Sequence, residues 1–136
     1  MDSSGFETQL KAKKEELKEL GIYDRMELWM KIHKDSEKYH KALGITGIIC
    51  AVVSSQLSGY PQILLVTGLV AAISTSGVTF LNLNSRSVTY VNAWRILDGK
   101  VTEFLTDEQA RVTVADVGNA ETQAEKYIQD ALHKKE

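Results

Sequence analysis

The chain has 136 residues, one proline, one cysteine, 25% charged residues and a formal net charge of −2, which bounds it to a single compact unit at most. A near-neutral balance without a basic stripe argues against nucleic-acid binding. One cysteine forms no intrachain disulfide and no four-ligand zinc site. The charges are unevenly placed: residues 1–41 hold nine Lys/Arg and nine Asp/Glu, residues 86–136 hold seven and nine, and residues 42–85 hold none. With one residue in four charged, chance leaves such a window bare on the order of a few times in a million. Lipid as the solvent of this segment is the physical cause that fits.

The expected fold is all-α, in three parts: N-terminal helices over 1–41, a transmembrane helical hairpin over 42–85, and C-terminal helices over 86–136. Met1-Asp2-Ser3-Ser4 lacks the basic start and apolar run of a signal peptide. Phe6, Leu10, Lys13, Leu17 and Leu20 alternate in steps of four and three, a heptad-like, coiled-coil type of stripe broken once by lysine. Gly21 ends that helix, and Asp24 with Glu27 has the capping-box pattern that starts the next. The second helix carries Ile22, Met26, Trp29, Ile32, Tyr39 and Leu43 on a broad apolar face running into the first span.

A hydrocarbon core about 30 Å thick takes roughly 20 helical residues, so the charge-free segment suffices for two crossings. Gln56-Leu57-Ser58-Gly59-Tyr60-Pro61-Gln62 gathers glycine and the proline of the turn, which places the spans near 42–58 and 62–83. Arg25, Lys31, Lys34, Lys38 and Lys41 precede the first span and Arg86, Arg95 and Lys100 follow the second, while the turn has no basic residue. Positive charge stays on the cytoplasmic side, so both termini are expected there. A soluble bundle with a buried central hairpin is the rival, but its flanks carry too little apolar surface to cover two all-apolar helices.

Between helices in lipid, small residues allow close backbone approach. Gly47, Ala51 and Ser55 on the first span and Gly68, Ala72 and Ser76 on the second recur in steps of four and are the expected packing residues. A polar stripe, Thr75, Thr79, Asn82 and Arg86, follows the second span toward its charged end, with a milder one, Thr46, Cys50 and Ser54, on the first. Such stripes could line a water path or its mouth in an assembly of hairpins. Alternatively, the hydroxyls bond their own helix backbone or join neighbouring helices. Mid-membrane Cys50 reads as a packing residue, since a thiolate is disfavoured there.

Beyond the second span, Tyr90, Trp94, Leu97, Val101 and Phe104 repeat the four-three spacing and pair naturally with Trp29, Ile32 and Tyr39 as an assembly stem. Thr106 with Gln109 caps a third short helix that Gly118 ends, and Asn119 opens a last one through Ala124, Ile128 and Leu132. Val112-Thr113-Val114 could instead be a brief strand. His33, Glu37 and His40 share a helix face, but solvated polar residues are the default there, and neither metal, cofactor nor enzyme is expected.

The run Trp29-Met30-Lys31-Ile32-His33-Lys34-Asp35-Ser36-Glu37-Lys38-Tyr39-His40, two spans with a short turn, the Phe80-Leu81-Asn82-Leu83 exit, and Tyr90-Val91-Asn92-Ala93-Trp94-Arg95-Ile96-Leu97 together resemble a divergent SLATT domain, over roughly residues 25–106. SLATT domains are the two-transmembrane effector domains associated with nucleotide second-messenger systems of defence. The resemblance implies a homo-oligomeric membrane protein that forms or opens a pore, or otherwise breaches a membrane, when a separate sensor protein signals to it. It assigns no catalytic residue. The alternative is a structural membrane protein, an anchor or scaffold of a virus particle or organelle membrane.

Overall fold

The computed structural model describes residues 3–56, 59–107 and 109–133, with the side chains of all of these except 3, 4 and 79–81. The described residues form five α-helices and no strand: α1 (Ser3–Glu19), α2 (Ile22–Gln56), α3 (Pro61–Leu81), α4 (Leu83–Thr106) and α5 (Val114–His133). Val112-Thr113-Val114 is therefore loop leading into helix. The chain divides into two units where composition suggested one: residues 1–32 with 88–136, and residues 33–87.

Gly21 separates α1 from α2 with φ +69°, a left-handed conformation that costs glycine least. Its N–H bonds the Lys18 carbonyl at 3.0 Å, and its own carbonyl accepts from Arg25 N at 3.1 Å. Gly21 thus closes one helix and opens the next, which moves the start of α2 upstream of the expected Asp24–Glu27 capping box. Asp24 instead lies in the first turn, where a carboxylate meets the positive end of the helix dipole.

The unit of residues 1–32 and 88–136 is built around an apolar core. Leu17 and Ile22 meet Met26 and Trp29 from one side of the sequence, and Ala93, Leu97, Val101, Phe104, Val117, Ala120, Ala124 and Ile128 from the other. Tyr90 and Trp94 pack half-buried against this cluster. Lys13, the break in the α1 stripe, lies with its ammonium 5.0 Å from the Phe104 ring centroid and donates to the carbonyls of Phe104 and Asp107 at 2.8 Å. These bonds at the end of α4 make the lysine a C-terminal cap with an apolar stem. Arg25 joins α2 to α5 through Glu121 at 2.9 Å and through Glu125.

Among the described residues no separate short helix follows Thr106. Asp107 organises a loop instead, accepting from Gln109 N at 2.9 Å and Val112 N at 2.7 Å; Glu108 lies outside the described residues. Helix α5 then starts at a reciprocal cap: Thr113 N–H and hydroxyl donate to Asp116 Oδ2 at 2.8 Å, and Asp116 N faces Thr113 Oγ1 at 3.4 Å. Gly118 and Asn119 sit inside α5 rather than between two helices. Val117, Ala120, Ala124 and Ile128 bury one continuous face across them, and tertiary packing of such a face outweighs the local preference of one glycine.

Candidate functional site

Residues 33–87 form the second unit, in which the later part of α2 runs antiparallel to α3 and the start of α4. Position 33 pairs with 87, 43 with 77, 47 with 74 and 75, and 54 with 67. Pro61 opens α3 at its first turn, with Leu64 N bonded to the Tyr60 carbonyl at 3.0 Å. Leu57 and Ser58, part of the expected turn and first span, lie outside the described residues.

The seam between these helices is small and polar. A Cβ placed on Gly47 would lie 3.7 Å from Ser74 Cβ and 3.8 Å from Thr75 Oγ1, and one on Gly77 would lie 3.5 Å from Leu43 Cδ1. Ser54 Oγ bonds Thr67 Oγ1 across the seam at 2.6 Å. Ser74 and Ser87 are each 4% exposed, and Ser36 is buried with them. At the charged end, His33 Nδ1 lies 3.0 Å from the Ser87 carbonyl and 2.7 Å from its hydroxyl.

The exterior is the reverse. Ile48 is 66% exposed, Leu65 72% and Ile73 62%, and Ile45, Ile49, Val52, Val66 and Leu69 are more than half exposed. Among the described residues one helical segment, beginning at Pro61, is long and apolar enough to cross a membrane by length and composition. The described charge-free part of α2, from Ala42 to Gln56, is shorter than the roughly 20 residues a crossing takes.

The small-residue stripes divide. Gly47 is at the seam, whereas Ala51, Ser55, Gly68, Ala72 and Ser76 point outward, with nothing within 4 Å of a Cβ on Gly68. The seam uses 67, 74 and 77 on α3, steps of seven and three that stay on one helical face, while steps of four turn away from it. The structure thus corrects the expected packing within the hairpin. Of the polar stripe, Thr75, Asn82 and Arg86 are exposed, and the side chain of Thr79 lies outside the described residues. Thr75 Oγ1 donates to the Ala71 carbonyl at 2.9 Å. Asn82 adopts a left-handed conformation, φ 44° and ψ 42°, and ends α3. It breaks the stripe between Thr75 and Arg86, since asparagine tolerates this backbone better than most residues.

Of the stem residues, Trp29, Leu97 and Val101 are brought into one core with Tyr90 and Trp94 against it, and Ile32 is half-buried. Tyr39 is not: it belongs to the hairpin and is 61% exposed. The inward phase of α2 passes through Ser36, and Tyr39 is set off from it.

His33, Glu37 and His40 do not form a ligand set; among the described residues no group of three or more His, Cys, Asp or Glu is placed to hold a metal. Glu37 bonds Lys41 at 2.7 Å, and that hydrogen bond and charge, with His33 adding to them, hold its carboxyl below the ordinary range. The Ser36, Ser74 and Thr67 positions of the seam carried no apolar signal to mark them; the antiparallel pairing alone exposes their role. No protein family, curated protein or solved structure matches the chain.

Proposed function

We propose that this chain is an integral membrane protein whose hairpin crosses the bilayer twice, with both termini cytoplasmic, and that copies assemble into an effector that opens or breaches the membrane on a signal from a separate sensor. The observation that carries the reading is the exterior of the hairpin: large aliphatic side chains lie outside, while Gly47, Ser74 and Ser87 lie at the seam or are buried. Water-soluble helical pairs hide Leu, Ile and Val and rarely leave so large a continuous apolar surface bare. In lipid the outer face needs no cover, and close packing through small residues holds the helices together. The lysines and arginines flanking both spans support the orientation.

Assembly is supported by Gly68, Ala72 and Ser76, which leave a shallow strip on an otherwise bulky exterior, and the SLATT resemblance gives the effector reading. The hairpin itself has hydroxyls bonded internally: Thr46 to the Ala42 carbonyl and Thr67 to that of Ile63, each at 2.8 Å, with Ser54 donating to Thr67 Oγ1. A conducting path would therefore run between hairpins, with Asn82 and Arg86 at its mouth. The same bonds favour a second reading, an anchor or scaffold with sealed spans. Purified protein in liposomes separates the two. The effector leaks small ions, and Asn82→Leu or Arg86→Ala changes the leak; the anchor stays tight at every protein density. Recovery in the aqueous fraction after carbonate extraction would overturn both. Neither reading assigns a catalytic residue, metal, cofactor or nucleic-acid partner.

A further inference from the structure

The outward face of α2 changes character once along its length. Lys34, Lys38 and Lys41 are all exposed, and in steps of four and three they lead directly to the exposed Ile45, Ile48 and Val52. In helix phase, that stripe lies opposite the seam residues Ser36, Leu43, Gly47 and Ser54. The carboxylates of the segment lie to either side of it: Glu37 is engaged by Lys41, and Asp35 is exposed on the other flank. Lys34 and Lys38 form no ion pair among the described residues. At 1.5 Å per residue, Lys41, Lys38 and Lys34 stand roughly 6, 10 and 16 Å from Ile45 along the helix; the first two lie within or just beyond a headgroup layer several ångströms deep, with stems that reach further, and the third acts through the surface potential.

We infer that Lys34, Lys38 and Lys41 form a docking face for anionic phospholipid headgroups, which holds the hairpin at the charged leaflet. The occupant follows from charge and placement: three ammonium groups meet a phosphate-rich layer at the point where the same stripe turns aliphatic. Anionic lipids add net charge that zwitterionic ones lack, and each nearby lysine contributes to their attraction. This inference rests on the membrane reading, and the test keeps the two apart.

Full-length protein is reconstituted in vesicles of phosphatidylcholine alone or with about 30% phosphatidylserine, a fraction high enough to give a surface potential. Flotation after a carbonate wash reads insertion, and the lipid retained after mild-detergent purification reads selectivity. Insertion in both compositions is expected, with the phosphatidylserine fraction of the retained lipid about twice that of the bulk. The Lys34→Gln/Lys38→Gln/Lys41→Gln variant should still float while its retained lipid falls to bulk composition. Retained lipid of bulk composition in the wild type, or enrichment surviving in the variant, overturns the headgroup site while leaving the membrane reading standing. Loss of enrichment to inorganic phosphate, beyond chloride of equal ionic strength, also overturns it, by showing a site for free phosphate. Failure of the wild type to float in either composition overturns the membrane reading and this inference with it.

Discussion

Residues 1–32 with 88–136 and residues 33–87 are helical to a similar degree and packed by opposite rules. In the first unit Leu17, Leu97 and Val117 are wholly hidden, and among the described residues no charged one is buried. In the second, Ile48, Leu65 and Ile73 are nearly two-thirds exposed or more, and Ser74 and Ser87 are hidden. Burial of apolar surface stabilises a helix pair only where the alternative is water. The hairpin gains nothing by hiding its isoleucines if lipid surrounds it, and gains hydrogen bonds and close contact by hiding its serines. Under the membrane reading proposed above, two solvents for one chain account for both halves.

The largest effects should come from substitutions that act in opposite ways in the two units. Leu97→Ala opens a cavity in a closed core and should cost about 2–5 kcal/mol, read as a lowered midpoint of denaturant unfolding. The same truncation at the exposed Leu65 should leave that midpoint almost unmoved. Ile73→Asp is the sharper experiment. On a water-exposed surface such a change stays within about 0.5 kcal/mol, but near the middle of a membrane span it should cost roughly 3 kcal/mol of insertion. A glycosylation-mapped insertion assay measures the difference, and an unaffected Ile73→Asp would place the hairpin in water.

The division also marks what could be read in the residues. Charge segregation located the hairpin, Gly21 and Pro61 marked two helix boundaries, and the four-three stripe found Trp29, Leu97 and Val101, because in the charged unit apolar spacing and burial report the same thing. Inside the hairpin they do not. Tyr39 was placed on the apolar face and stands outside, while Ser36, with no apolar signal, is buried. Steps of four selected Gly68, Ala72 and Ser76, but only Gly47 of the six small residues faces the partner helix, since register across two helices is a property of the pair. The missed boundary at Asn82 and the uninterrupted α5 have a further cause: one left-handed asparagine and one tolerated glycine are decided by tertiary context rather than by local preference.

Smaller effects test the details of each unit. Thr113→Ala removes the reciprocal cap of α5 and should cost about 1 kcal/mol, visible in the unfolding midpoint and as faster hydrogen exchange at the first turn of that helix. In the hairpin, the coupling of Ser54 and Thr67, measured by Ser54→Ala, Thr67→Val and the double variant in detergent, should be about 0.6 kcal/mol. A negligible coupling would mean that the two hydroxyls are satisfied by their own helices alone, through the Cys50 and Ile63 carbonyls.

Acid should separate the units last and most gently. Asp107 is held below the ordinary carboxylate range chiefly by the Val112 N–H, then by the Gln109 and Arg111 N–H groups and the Lys13 charge. Asp116 is held down by the Thr113 N–H and then its hydroxyl, with Lys100 adding to them. A carboxyl whose folded pKa is depressed contributes stability that is fully present above its unfolded value, about 3.9, and is lost as pH falls through the folded one. The loop and cap of the charged unit should therefore weaken below about pH 4, read by Trp29 and Trp94, which both belong to that unit. Glu37 is likewise depressed, but its bond to Lys41 lies within α2 and joins no second helix. With no Asp, Glu, Lys or Arg in 42–85, hydrogen-exchange protection of the hairpin helices, taken relative to the pH-dependent intrinsic rate, should hold steady across the same range. A hairpin that opens in step with the tryptophan response would mean that its packing depends on the charged unit, and that the two sets of rules are not independent.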